Sequence, residues 1–278
     1  MEMYFFLKVF SLYLRNAPTF AYKITYKIIY SLLFHVLKMR QKTVLTNLRW
    51  AFPDKNEEWY NNTMKHCYKF FTKEFLDFIS FPKNYSSSKI KFKNLEVLSS
   101  AHAMKKGIIL VGSHYGSFDK LFYALSQEEY NLTGVAYKQN NSGADIFFKQ
   151  IRENFMEDQL YKGGDVKQLK NSLVKNNILI LLSDQDAKKK GVKAKFFGID
   201  SQTHSGAAIL SKRNKSPIIY ASITSKNNIY EVEFVKINTS GSINDIVQQY
   251  TSEIEKTIIN NPEQYFWFHK RWKSVKAY

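Results

Sequence analysis

From residue 89 onward, short uncharged runs alternate with amphipathic stretches. The clearest run is 108–111, Ile-Ile-Leu-Val between Gly107 and Gly112, the composition of a strand buried on both faces of a parallel sheet. His114 falls at its C-terminal edge. Gly116 and Ser117 break the run, Ser117 is placed to cap a helix, and 118–125 predicts that helix with Asp119 in its first turn. The same reading gives strands at 132–137, 178–183 and 218–224, helices at 145–156, 166–175 and 206–214, and a strand at 230–237 as an antiparallel edge. Such alternation predicts an α/β fold, a mostly parallel sheet flanked by helices, with ligands at the C-terminal ends of the strands.

The first third follows another pattern. Residues 3–37 are rich in Tyr, Phe, Leu and Ile, but Lys8, Arg15, Lys23 and Lys27 interrupt them, so no window reaches the ~18 uncharged residues of a spanning helix. Lys23 and Lys27 stand one helical turn apart, leaving Phe20, Ile24, Ile28 and Leu32 as an apolar stripe. Two placements fit, an anchor lying in a membrane interface or a helix packed on the domain's own core, and the basic and aromatic mixture favours the anchor. No small-residue cleavage site follows, so a removed signal peptide is not expected. Residues 40–52 and 57–81 predict two more helices, parted at Pro53-Asp54. The polar stretch 82–88 is the expected boundary between a helical, membrane-associating region, 1–82, and an α/β domain, 89–278.

With 44% hydrophobic residues in 278, the chain can bury a sizeable core, which excludes a disordered protein. The formal charge of +17 implies an anionic partner: nucleic acid, an anionic membrane surface, an acidic protein or a phosphorylated substrate. Basic residues are spread along the chain without a helix-turn-helix, zinc or RNA-recognition signature, so nucleic acid is not expected, although a basic nucleic-acid-binding protein is the alternative from another class. Cys67 is the only cysteine, which rules out an intrachain disulfide and fits a reducing compartment. No metal-ligand cluster and no nucleotide-binding glycine fingerprint occurs, so no cofactor and no metal is expected.

The candidate chemistry sits at the first strand. A positioned imidazole can take a proton from a hydroxyl, and a carboxylate can fix its tautomer and stabilise the imidazolium. His114 and Asp119 have the spacing for this. Spacing alone is not specific among six His and 24 acidic residues, and a satisfied structural histidine is the other reading of His114. The run 178–183 likewise delivers Asp184-Gln185-Asp186 at its C-terminal end, where a second set of site residues is expected. Lys188, Lys189, Lys190, Lys193 and Lys195 follow, too charged for a core: a solvated loop, or a site for phosphate or a partner.

Taken together, the motifs resemble the bacterial late acyltransferases of lipid A biosynthesis, within the glycerophospholipid and lysophospholipid acyltransferase superfamily. The resemblance covers most of the chain. It rests on Asn47-Leu48-Arg49 with Ala51-Phe52-Pro53, on His114-Tyr115-Gly116-Ser117-Phe118-Asp119, and on Asp184-Gln185-Asp186. It continues through Phe196-Phe197-Gly198, Thr203, Gly206 and Ala207 to Pro262-Glu263-Gln264-Tyr265, Trp267, His269, Arg271 and Lys273. The motif closes with Asp119 where lipid A acyltransferases usually carry Glu, which bears on the acceptor and not on acyl transfer.

The resemblance implies O-acyl transfer from a thioester, usually on acyl-carrier protein, to a lipid A precursor or related glycolipid; a lysophospholipid or aminolipid is the alternative acceptor. It implies His114 as general base oriented by Asp119, with Gly116, Asp184, Gln185 and Thr203 shaping the substrate site. Lys138, after strand residue Tyr137, is either an acceptor-phosphate ligand or a solvated lysine, and Arg271 either a phosphate ligand or a terminal surface charge. The lysines at 188–195 are the expected carrier-docking residues. The implied location is the cytoplasmic face of the bacterial inner membrane, as a peripheral or monotopic protein.

Overall fold

Apolar on every side, the run at 108–111 becomes the centre of a sheet. In the computed structural model, which describes residues 1–226 and 229–278, β2 (Ile108–Gly112) is buried along its whole length. It pairs in parallel with β5 (Ile178–Leu182) on one side and β8 (Ile218–Lys226) on the other. Beyond β5 come β3 (Leu132–Ala136) and β4 (Asp158–Tyr161), and beyond β8 come β9 (Ile229–Ile237) and β1 (Lys89–Lys93). Every pairing in this seven-stranded sheet is parallel except β8 with β9. The fold is the expected α/β one.

Among the described residues five α-helices precede the sheet, α1 (Glu2–Asn16), α2 (Thr19–Ser31), α3 (Gln41–Ala51), α4 (Glu57–Ile79) and the short α5 (Lys83–Ser86), with a π-helical turn at Leu32–Val36 continuing α2. Between and after the strands lie α6 (Leu95–Ala103), α7 (Phe118–Gln127), α8 (Ser142–Arg152), α9 (Val166–Val174), α10 (Gly206–Asn214) and α11 (Ile243–Asn260). Successive side chains of a strand point to opposite faces. Ile109 and Val111 therefore join a core with Val44, Leu48, Tyr60 and Cys67, while Ile108 and Leu110 join a second core with Leu7, Leu14 and Leu76. The N-terminal helices thus contribute to the core on both faces of the sheet.

Three expectations are corrected. The strand at 229–237 is antiparallel but not an edge, because β1 covers it in parallel register; alternating lysines hide β1 from a hydrophobicity reading. The lysine run is only partly a loop: Lys188–Lys190 form one 3-10 turn and β6 (Val192–Phe196) pairs with β7 (Ile199–Thr203) as a separate hairpin. Ala194 and Phe196 face inward and all five lysines are exposed. The stretch 82–88 contains α5, whose Tyr85 is buried against Phe81, Tyr123 and Phe155.

The stripe on α2 faces outward: Phe20 and Ile28 are 68% and 62% exposed, with Lys23 and Lys27 beside them, so it is not core. On α1, Leu7, Ser11 and Leu14 are buried, whereas Phe5, Phe6, Val9 and Leu12 are exposed. No helix among the described residues is long and apolar enough to cross a membrane.

A buried ionic cluster joins these helices to the sheet. Lys120 on α7 lies 3.0 Å from Glu74, 2.8 Å from Asp77 and 2.9 Å from the Tyr230 hydroxyl. Asp77 also accepts from Lys73, Asn84 and the Tyr22 hydroxyl, which brings in α5 and α2. Burial would raise the Asp77 carboxyl, but Lys120 and Lys73 override it and hold the group below its ordinary value. Breaking one partner of a buried pair strands the other charge, at ~3–5 kcal/mol. Lys120→Met is accordingly expected to lose stability of that order, about 3–5 kcal/mol, in urea unfolding; an unchanged midpoint and slope would show that the cluster contributes nothing.

Candidate active site

The register of β2 against β5 builds the site. Ile108 faces Ile178 and Gly112 faces Leu182, and the Ser183 N–H donates to the Gly112 carbonyl, so the match continues past both strands. Two residues on, His114 stands beside Asp184, and its Nδ1 lies 2.8 Å from Asp184 Oδ1. The Gln185 amide nitrogen is 3.4 Å from each ring nitrogen. Asp184 is buried and His114 is partly open, so the ring keeps one face toward space that a substrate can enter.

Burial by itself would lower the proton affinity of the imidazole. The Asp184 carboxylate, through its charge and its hydrogen bond, with a further contribution from Asp119, more than offsets this and leaves His114 above an ordinary histidine. For Asp184, burial works upward, while the His114 charge and hydrogen bonds hold the carboxyl low. An Nδ1–H donated to a carboxylate leaves Nε2 as the acceptor.

Asp119 was the carboxylate expected beside the imidazole. It lies in the first turn of α7 as predicted, but the imidazole's hydrogen-bonded carboxylate is Asp184. Burial pushes the Asp119 carboxyl up to about 6, with Arg152 and His114 pulling the other way.

His114 and Asp119 sit where two cavities meet, and Phe118, Gln139 and Arg152 line both as well. One cavity, of about 640 Å³, is apolar, walled by Ile29 and Leu33 at the N-terminal end and by Phe71, Phe75, Phe148 and Phe268. The other, of about 430 Å³, is more polar and reaches across β5 and β3 to Lys162 and His204. The loop 114–116 is strapped from behind: Phe266 N–H donates to the His114 carbonyl, Gly116 N–H to the Gln264 carbonyl, and Tyr115 bridges to Tyr265. Gly116 has φ of 60°, and a Cβ there would stand 1.7 Å from the Ile223 carbonyl oxygen, so this turn requires glycine.

The remaining expected residues separate into two groups. Gln185 lines the polar cavity beside His114, and Gly116 the apolar one. Lys138 is exposed, and its neighbours Tyr137 and Gln139 are the residues that line the polar cavity. Arg271 is not a surface charge: it is 2% exposed, donates to Thr203 Oγ1 at 2.7 Å and the Gln202 carbonyl at 3.0 Å, and stacks on Phe196. Arg271 and Thr203 thus hold each other and the β6–β7 hairpin, while the Arg271 Nε has no hydrogen-bond partner among the described residues. The five lysines extend from the segment after Asp186, which Ser274 pins with 2.8 and 2.9 Å bonds.

Residues without a local signal complete the site. Arg152, in the last turn of α8, bonds Gln159 at 2.5 Å and faces both cavities. Neither it nor the strap at 264–266 belongs to a spacing that sequence periodicity reveals. Among the described residues no His, Cys, Asp and Glu group could hold a metal ion.

An imidazole held by a carboxylate, at the seam between an apolar cavity and a polar one, suits an enzyme that moves a group between a lipid and a polar molecule. The sequence profile of the bacterial lipid A biosynthesis acyltransferases matches residues 2–274. The chain belongs to that family and is an acyltransferase of lipid A biosynthesis, as the motif resemblance implied. No curated protein sequence matches the chain.

The geometry sets the titration of His114. In NMR of ring-labelled protein its resonance should titrate above ordinary histidines, and Asp184→Asn should move it down, since the charge and bond that favour the imidazolium are lost. Asp119→Asn should move it less. A larger shift from Asp119→Asn would make Asp119 the dominant partner.

Proposed function

We propose that the protein transfers a fatty acyl group from an acyl thioester to a hydroxyl of a lipid A precursor or related glycolipid, with His114 as general base. The observation that carries this reading is the His114–Asp184 bond at the seam of the two cavities. His114 Nε2 takes the acceptor's hydroxyl proton while that oxygen attacks the thioester carbonyl. As the tetrahedral intermediate collapses, the C–S bond breaks and the imidazolium returns the proton to the departing sulfur. Asp184 fixes the tautomer and stabilises the imidazolium, and Asp119 adds negative charge nearby when ionised. The apolar cavity receives the acyl chain, and the polar one the hydrophilic part of a substrate.

Acyl-carrier protein is the proposed donor, docking on Lys188, Lys189, Lys190, Lys193 and Lys195, which are exposed just beyond Asp184. His114→Ala should lower acyl transfer by ~10²- to 10⁴-fold while the protein stays folded. Changing the five lysines to Glu should slow reaction with the acidic carrier far more than with a small soluble thioester, because steering acts on encounter and not on chemistry. Wild-type turnover by folded His114→Ala would refute the mechanism, and equal effects on both donors would refute the dock.

Residues 1–82 form the proposed membrane-associating region, on the cytoplasmic face of the inner membrane. The outward Phe5, Phe6, Val9, Leu12, Phe20, Ile24 and Ile28, with Lys8, Lys23 and Lys27 among them, support attachment to an anionic bilayer surface. Each cation near such a surface contributes about 1 kcal/mol, screened by salt, while the apolar part is not screened. Binding to anionic vesicles should weaken but persist at high salt, and Ile24→Asp with Ile28→Asp should remove the residual part. Absence of vesicle binding at low salt would refute the anchor.

A further inference from the structure

The far end of the polar cavity carries groups that the transfer step does not use. Lys162 follows β4, three strands away from β2, so at ~4.8 Å per strand it sits roughly 14 Å along the sheet from the reacting imidazole. It is exposed, and among the described residues its Nζ meets neutral partners: the Tyr137 hydroxyl and ring, and His204 Nε2 at 3.3 Å. Burial, with Lys162 and Arg271 close by, holds His204 down to about 4, so its ring is neutral and accepts from the ammonium. The next residue, Gly163, has φ of 89° and open space where a side chain would be, so the chain beside Lys162 adds no bulk to the cavity mouth. The acid at this mouth, Asp165, is engaged in capping α9 through the Lys167 N–H. An ammonium whose contacts are a hydroxyl, an aromatic face and a neutral imidazole, at the open end of a cavity, is arranged for an anion.

We propose that Lys162 and His204 form a phosphate subsite, holding a phosphate ester of the substrate that occupies the polar cavity. Lys162 supplies the point charge that phosphate recognition uses. An approaching phosphate replaces His204 as the acceptor for the ammonium and gives the imidazole reason to take up a proton and become a second donor. This deepens the acyl-transfer reading, since both of its substrates can bring such a group: the acceptor as a sugar phosphate, the donor as the phosphodiester of its thiol-bearing arm.

Calorimetric titration with glucosamine 1-phosphate and with 4′-phosphopantetheine, each against its dephosphorylated form, tests the subsite without turnover. The wild-type enzyme should bind at least one phosphorylated probe more tightly than its dephosphorylated counterpart. Lys162→Gln should lose that preference, by about tenfold in Kd for a charge-assisted bond. His204→Gln should lose part of it, and thermal unfolding of both variants should match the wild type. Preference for the sugar phosphate assigns the subsite to the acceptor, and preference for the pantetheine phosphate assigns it to the donor. In steady state, the KM for that substrate should rise in Lys162→Gln by more than kcat falls. No phosphate preference in the wild type, or the same preference in Lys162→Gln, overturns the proposal. If the preference is present but the intact enzyme transfers no acyl group, the acyl-transfer mechanism fails and the subsite stands.

Discussion

The pairing of β2 with β5 decides which carboxylate the imidazole meets. Both strands are deeply buried, with apolar side chains alternating between two cores, and a slip of one residue would turn each side chain to the opposite core. Packing therefore fixes the register, and the register carries through the Ser183–Gly112 bond to place His114 beside Asp184. The same apolar residues that stabilise the sheet position the polar pair at its edge, so stability and alignment are one property at this point of the molecule.

A second constraint ties the edge of the sheet to the N-terminal helices. The Lys120 cluster links α7, whose first turn carries Asp119, to Glu74 and Asp77 on α4 and through Tyr22 to α2. Its charges are buried at a cost that close oppositely charged partners offset. The helices that present apolar side chains outward are in this way fastened to the helix that borders both cavities, and Ile29 and Leu33 extend them into the wall of the apolar one.

How much of this was legible in the sequence depended on how local each signal is. The strands at 108–111, 178–183 and 218–224 were readable because full burial demands uninterrupted apolar runs. β1 was not, because its edge position tolerates a lysine at every second residue, and β6 was hidden in the same way. His114 and the helix after it followed from a run, a glycine and a cap within a dozen residues. The partner of His114 could not follow in that manner. Asp119 is five residues away in sequence and so visible to a local reading, whereas Asp184 becomes a neighbour only through a strand order in which β5 adjoins β2. Arg271 shows the same limit: its place near the chain's end allowed either a phosphate ligand or a surface charge, and only the fold buries it against Thr203.

The strap at 264–266 separates in time two properties of the chain. Tyr115 and Gly116 take their backbone partners from residues translated long after them, so the reacting loop emerges from the ribosome without its support. The apolar helices α1 and α2 precede that loop in the chain and emerge before it. At ordinary elongation rates the interval is on the order of ten seconds. During it the nascent protein carries the apolar side chains of α1 and α2 while the loop at 114–116 still lacks the backbone partners that hold it.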